Sequence, residues 1–140
     1  MTKQFRLGLI INPLAGLGGS VGLKGSDNLA EQALALGAVP MAEQRAKVCL
    51  EQLLPLRDKL QILTVAGEMG ETLCCALGFD VQLCYTPAHI PTQAVDTEQA
   101  ARIIAEQGVD LLLFAGGDGT ARNICSMVGD KSTVLGIPAG

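Results

Sequence analysis

The strongest chemical signal in this sequence is one carboxylate set among three glycines, in Phe114-Ala115-Gly116-Gly117-Asp118-Gly119-Thr120. Glycine permits positive φ and close backbone approach, so successive N–H groups can converge on an anion, and a following helix adds the positive end of its dipole. Phosphate is the natural guest. A carboxylate beside a bound phosphate would repel it, so Asp118 makes sense as a base, a metal partner or a ligand for a sugar hydroxyl. The plainer reading is that Asp118 or Thr120 caps the next helix. A hairpin built on Asp118-Gly119 is disfavoured, because residues 121–128 do not alternate in polarity.

A second glycine-rich stretch begins at Asn12-Pro13-Leu14-Ala15-Gly16-Leu17-Gly18-Gly19 and continues through Gly22, Lys24, Gly25, Ser26 and Asp27. Val21 breaks the dinucleotide-binding fingerprint, and Lys24-Gly25-Ser26 is not the contiguous Gly-Lys-Ser of a P-loop. Backbone donors from Gly16, Gly18 and Gly19, with Asn12 and the Lys24 ammonium, still suit nucleotide phosphates. A flexible surface loop is the bland alternative.

Elements that would hold these loops recur along the chain: a short run of Ile, Leu and Val, a glycine-bearing loop, then helical spacing. This is the pattern of an α/β domain with a parallel sheet. Strands are expected at residues 5–12, 60–65, 80–85, 109–115 and 133–137. A helix at 28–36 has a capping box in Asn28 and Glu31. One over 41–54 places Ala42, Ala46, Cys49, Leu50, Leu53 and Leu54 on a single apolar face and fades at Pro55. Another follows Gly67-Glu68-Met69-Gly70 and carries Leu73 and Leu77. Asp96 and Gln99 repeat the capping-box pattern ahead of a helix ended by Gly108, and residues 121–128 suit a last helix. The fold expected is a Rossmann-like doubly wound parallel sheet of five strands in the order 3-2-1-4-5. That order brings Asn12 and Gly116 out side by side at the switch point, where ligands bind in such sheets.

Composition narrows the function classes. The 140 residues carry 10 Lys+Arg against 14 Asp+Glu, are 49% hydrophobic and are only 3% aromatic. With no basic run and few rings, neither a phosphate-neutralising stripe nor a base-stacking platform is available, so nucleic acid is excluded as a partner. No stretch approaches the roughly 20 apolar residues that cross a bilayer, and the start lacks a secretory cleavage pattern. A cytoplasmic location is expected, with Cys49, Cys74, Cys75, Cys84 and Cys125 as buried, reduced thiols. His89, the sole histidine, lies in a Pro-flanked loop and receives no role. Because residues 133–140 run from a strand into a fresh loop with no covering helix, the chain is expected to be a fragment of a larger protein.

Together, Gly116-Gly117-Asp118-Gly119-Thr120 and Asn12-Pro13-x-Ala15-Gly16-x-Gly18-Gly19 resemble the NAD kinase and diacylglycerol kinase superfamily. The run from Gly18 to Asp27, the Ala121-Arg122 pair and the final Gly136-Ile137-Pro138-Ala139-Gly140 are similar to the ATP-NAD kinase branch that includes the acetoin-catabolism protein X. The resemblance implies that residues 1–140 are an amino-terminal nucleotide-binding α/β domain followed by a β-rich second domain, with the active site between the two. It further implies magnesium-dependent transfer of the ATP γ-phosphoryl group to the adenosine-ribose 2'-hydroxyl of NAD. On the family pattern Asp118 engages that hydroxyl as base, and Gly116, Gly117, Gly119 and Thr120 shape the phosphate site. Arg122 departs from ordinary NAD kinases, which have an apolar residue there, so the acceptor is open. The family's second motif, an Asn with an acidic neighbour, has no match in these residues, and the domain alone is expected to be inactive. Two other readings stand beside this one: a non-catalytic nucleotide-sensing module, and a diacylglycerol- or sphingosine-type lipid kinase. No amphipathic basic segment supports the lipid reading. The donor, ATP or polyphosphate, and the number of subunits, a homo-oligomer included, are left open.

Overall fold

A computed structural model describes residues 4–12, 42–88 and 94–138, without the side chains of Asp118 and Pro138. Five strands form one parallel sheet: β1 (Phe5–Ile11), β2 (Leu60–Val65), β3 (Asp80–Tyr85), β4 (Leu111–Gly116) and β5 (Val134–Pro138). Their order is β3-β2-β1-β4-β5, as the alternation of strand and helix patterns predicts. The described helices are α1 (Ala42–Glu51), α2 (Glu71–Leu77), α3 (Ala94–Gln107) and α4 (Asp118–Val128), with 3-10 turns at Leu54–Lys59 and Gly67–Met69. The expected helix at 28–36 lies outside the described residues, as does His89.

The sheet is covered on both faces, which explains why its central strands are apolar at nearly every position rather than at alternate ones. One face sends Leu9, Ile11 and Leu113 against Ala42, Ala46 and Leu50 of α1 and Leu73 and Cys74 of α2. The opposite face sends Ile10, Leu63, Leu112 and Phe114 against Ala100 and Ile104 of α3 and Ile124 and Val128 of α4. The edge strand β3 is exposed or half-buried throughout. Pro55 opens the turn that follows α1, where its fixed φ and missing N–H are tolerated.

Three expectations are corrected. Strand β4 begins at Leu111, not residue 109, because Asp110 is taken up by a clasp across the amino ends of the strands. The Arg6 N–H donates to the Asp110 carboxylate at 2.9 Å, the Asp110 N–H donates to the Arg6 carbonyl at 2.8 Å, and the Arg6 guanidinium reaches the Gln107 carbonyl at 3.2 Å. Asp96 is not the N-cap residue of its helix, since α3 already runs from Ala94. Its fully buried carboxylate accepts the Tyr85 hydroxyl and the Ala88 N–H, both at 2.9 Å. The cysteines are unpaired but not uniformly buried: Cys74 is buried, Cys49 and Cys84 are half-buried, and Cys75 and Cys125 are exposed.

Candidate functional site

Parallel strands all present their carboxyl ends on one side, so the loops that follow β1, β2 and β4 share an edge. Ile11 of β1 pairs with Ala115 of β4, and one residue later the Asn12 N–H donates to the Ala115 carbonyl at 3.0 Å. Asn12 is therefore laced to the strand that leads into Gly116. Its side chain crosses the same gap, with Nδ2 donating to Thr120 Oγ1 at 3.1 Å. Asn12 opens the first glycine-rich stretch, and Thr120 closes the second. The two stretches issue from neighbouring strands, as the strand order requires. Gly16, Gly18, Gly19 and Lys24 lie outside the described residues.

The second stretch is not the loop that its glycines suggest. Gly116 ends β4, Gly117 is the N-cap residue in extended backbone (φ −98°, ψ −163°), and α4 begins at Asp118 rather than residue 121. None of these glycines is among those with positive φ. Their smallness matters in a different way. A Cβ on buried Gly116 would fall 2.5 Å from Thr120 Oγ1 and 2.6 Å from Thr120 Cβ, so Gly116 lets the first turn of the helix fold back onto the strand. A Cβ on Gly119 would meet nothing within 4 Å, which leaves the approach to that turn open.

Helix geometry makes this turn a donor surface. The helix bond nearest the start runs from the Ala121 N–H to the Gly117 carbonyl at 3.0 Å. Residues 118–120 lie before it, where N–H groups have no partner within the helix. Three such donors with the positive end of the macrodipole suit a phosphate oxygen. The side chain of Thr120 is 5% exposed and tied to Asn12, so it braces the turn instead of reaching outward. Capping by the Thr120 hydroxyl is not observed, and the N-cap residue, Gly117, has no side chain to cap α4. The side chain of Asp118 lies outside what is described; its backbone is the first residue of α4.

A second turn reaches the same edge after β2. The Gly67 N–H donates to the Glu71 carboxylate at 2.9 Å, and buried Met69 joins the core around Ile10 and Val65. The Thr64 hydroxyl, fully buried, donates to the Leu9 carbonyl at 2.8 Å. Sequence reasoning passed over Thr64, although a lone hydroxyl in the buried run from Ile62 to Val65 is a signal that it needs a specific acceptor. It also passed over the Tyr85–Asp96 pair, which fixes the segment after β3. There, burial first and then the bond to Asp96 push the Tyr85 hydroxyl above its usual pKa.

Among the described residues, no group of three or more His, Cys, Asp or Glu side chains is placed to hold a metal. Nor is any described helix long and apolar enough to cross a membrane. A family model described as the ATP-NAD kinase N-terminal domain matches residues 7–140. No curated protein and no solved structure matched the chain. The match spans nearly the whole chain, and the protein belongs to the ATP-NAD kinase family.

Proposed function

We propose that this member of the family is the nucleotide-binding amino-terminal domain of a phosphotransferase that moves the γ-phosphoryl group of ATP to the 2'-hydroxyl of NAD. The observation that carries the reading is the junction, at one sheet edge, of Asn12, where the first glycine-rich stretch begins, with Thr120 at the end of the second, joined by a hydrogen bond and backed by the open first turn of α4. The N–H groups of the turn would hold phosphate oxygens, with Gly16, Gly18, Gly19 and Lys24 as the opposing contributors. Asp118, at the first position of α4, would accept the proton of the attacking hydroxyl.

In this reaction the 2'-oxygen bonds to the γ-phosphorus while the bond to the ADP oxygen breaks, and the electron pair leaves with ADP. Charge spreads over the phosphoryl oxygens in a loose transition state, so positioning and neutralisation do most of the work. A carboxylate suffices to take the proton late. The donor set fits a nucleotide and leaves magnesium to be held mainly by the phosphates, with Asp118 the one carboxylate in the motif to assist it. A second domain would close the far side of the crevice and supply the remaining polar groups.

The test uses the full-length protein with ATP, magnesium and NAD, and reads NADP. Asp118→Asn is expected to lower kcat by about 10²- to 10⁴-fold and leave the urea midpoint unchanged. NADP formed at the wild-type rate by the variant removes Asp118 from the chemistry. Nucleotide binding without any product, or phosphorylated lipid in place of NADP, overturns the proposed reaction.

A further inference from the structure

We propose that Asn12 is a positioning residue for the phosphoryl transfer: through the Thr120 hydroxyl it aims the N–H groups at the start of α4, and it does not itself hold the nucleotide. This inference rests on the nucleotide-binding reading above and changes the part that Asn12 plays in it. By its donor and acceptor groups alone, an asparagine that opens a glycine-rich stretch suits a phosphate. Its amide nitrogen is nevertheless directed at Thr120 Oγ1, 3.1 Å away and 108 positions along the chain. Register explains the reach. Ile11 pairs with Ala115, and the Asn12 N–H donates to the Ala115 carbonyl at 3.0 Å, so the main chain of Asn12 is fixed where β4 runs into α4.

Thr120 is the third residue of α4, and its side chain is 5% exposed. A Cβ placed on Gly116 would fall between 2.5 and 2.8 Å from Oγ1, Cβ and Cγ2 of Thr120 alike, so the whole side chain rests on the end of β4. A threonine in a helix divides between two χ1 positions, because its hydroxyl can bond a carbonyl three or four residues back. For Thr120 those carbonyls belong to Gly117 and Gly116. The Gly117 carbonyl already accepts the Ala121 N–H at 3.0 Å, and a hydroxyl turned back onto its own helix would bend the turn. Among the described residues the hydroxyl's partner is Asn12 instead.

The N–H groups of residues 118–120 precede that helix bond and have no partner within the helix. Their direction follows the pitch of the first turn, and a shift of about 1 Å in a group that holds a reacting phosphate can cost about 100-fold in rate. A hydrogen bond that keeps Thr120 from bending the turn therefore acts on the ligand at one remove. Hydrogen bonding and packing make opposite demands at Thr120, which separates this role from a merely structural one. Valine preserves the shape and loses the hydroxyl. Serine keeps the hydroxyl and loses the methyl group.

The experiment measures, on the full-length protein, the Kd of ATP by calorimetry and kcat/KM for NADP formation, in wild type, Asn12→Ala, Thr120→Val, the double variant and Thr120→Ser. Asn12→Ala and Thr120→Val should each weaken ATP at least about tenfold and lower kcat/KM about 10- to 100-fold. The double variant should fall no further than the worse single one, because both changes break the same bond. Thr120→Ser should bind ATP almost as wild type does. Losses that multiply in the double variant make Asn12 an independent ligand and overturn the proposal. So does wild-type affinity in Thr120→Val beside a weakened Thr120→Ser, the order that packing alone predicts. Should Asn12→Ala fail to fold in a urea titration, the order of the two Thr120 variants decides. ATP bound without any NADP formed defeats the proposed reaction and leaves the affinity comparison in force, whereas no binding of ATP by wild type defeats both.

Discussion

Replacing Gly116 and Gly119 by alanine, one at a time, should give opposite results although the two glycines lie three positions apart. At Gly116 the added Cβ would sit 2.6 Å from Thr120 Cβ and 2.8 Å from Thr120 Cγ2. Carbon atoms rest at about 3.5–4.0 Å, so the start of α4 must retreat by about 1 Å. Neither partner is the end of a flexible chain. Overpacking of this kind costs about 1–3 kcal/mol, and drawing Thr120 away from Asn12 forfeits a hydrogen bond worth about 1 kcal/mol. The sum is about 2–4 kcal/mol, which a urea titration resolves easily. At Gly119 the added Cβ meets nothing within 4 Å, and the backbone is helical with φ outside the positive range. Alanine there should stabilise by about 0.4–1 kcal/mol through the unfolded chain. The same methyl would stand over the donor surface of the turn, so kcat/KM should fall at least about tenfold. A Gly116→Ala protein within about 1 kcal/mol of wild type would refute the steric account. A Gly119→Ala protein with full activity would show that the first turn of α4 does not face the ligand.

Two further outcomes are expected. Tyr85→Phe removes a donor from the fully buried Asp96 carboxylate and should cost about 1–3 kcal/mol in urea unfolding; a loss below about 0.5 kcal/mol would mean that Asp96 is satisfied without it. For the thiols, burial first and then neighbouring Cys75 push Cys74 up to about 12 from 9.0, so at pH 8 a disulfide reagent should label exposed Cys75 and Cys125 and spare Cys74 until the protein unfolds. Because the folded value lies above the unfolded one, Cys74 stabilises the fold fully below about pH 9 and progressively less as pH rises toward 12. Cys74→Ala should flatten that part of the stability profile, and rapid labelling of Cys74 in the native protein would contradict its burial.

The strands were legible because each is a short apolar run between turn-forming residues; β2 and β3 fall where the pattern puts them, at Leu60–Val65 and Asp80–Tyr85. Strand order was legible too, since alternating strands and helices leave few right-handed arrangements. The exceptions have local causes. Val109 is apolar enough to begin a strand, but Asp110 is bound to Arg6. Asp96 and Gln99 have the spacing of a capping box, yet the Asp96 carboxylate serves Tyr85 and Ala88, a long-range demand that spacing cannot express. Gly116, Gly117 and Gly119 suggested a loop because glycine is the residue of positive φ; at Gly116 the requirement is instead room for Thr120, and only the packing reveals it. The exposure of Cys75 and Cys125 was equally hidden, since it depends on which side of α2 and α4 meets the sheet. At the candidate site, the sequence predicted the adjacency of Asn12 and Gly116, but not the Asn12–Thr120 bond that ties the end of β1 to the first turn of α4.

The pairing of Leu7 with Leu111 and of Ile11 with Ala115 also has a consequence for biogenesis. The central hairpin-free seam of the sheet joins segments made early and late during translation. Until β4 leaves the ribosome, one long side of β1 has no hydrogen-bonding neighbour, and its apolar side chains are only partly covered. Such non-local closure slows folding and prolongs the lifetime of sticky intermediates. Newly made chains should therefore depend on chaperone protection until nearly all of the domain has been synthesised, and truncation before β4 should yield aggregates rather than a smaller folded unit.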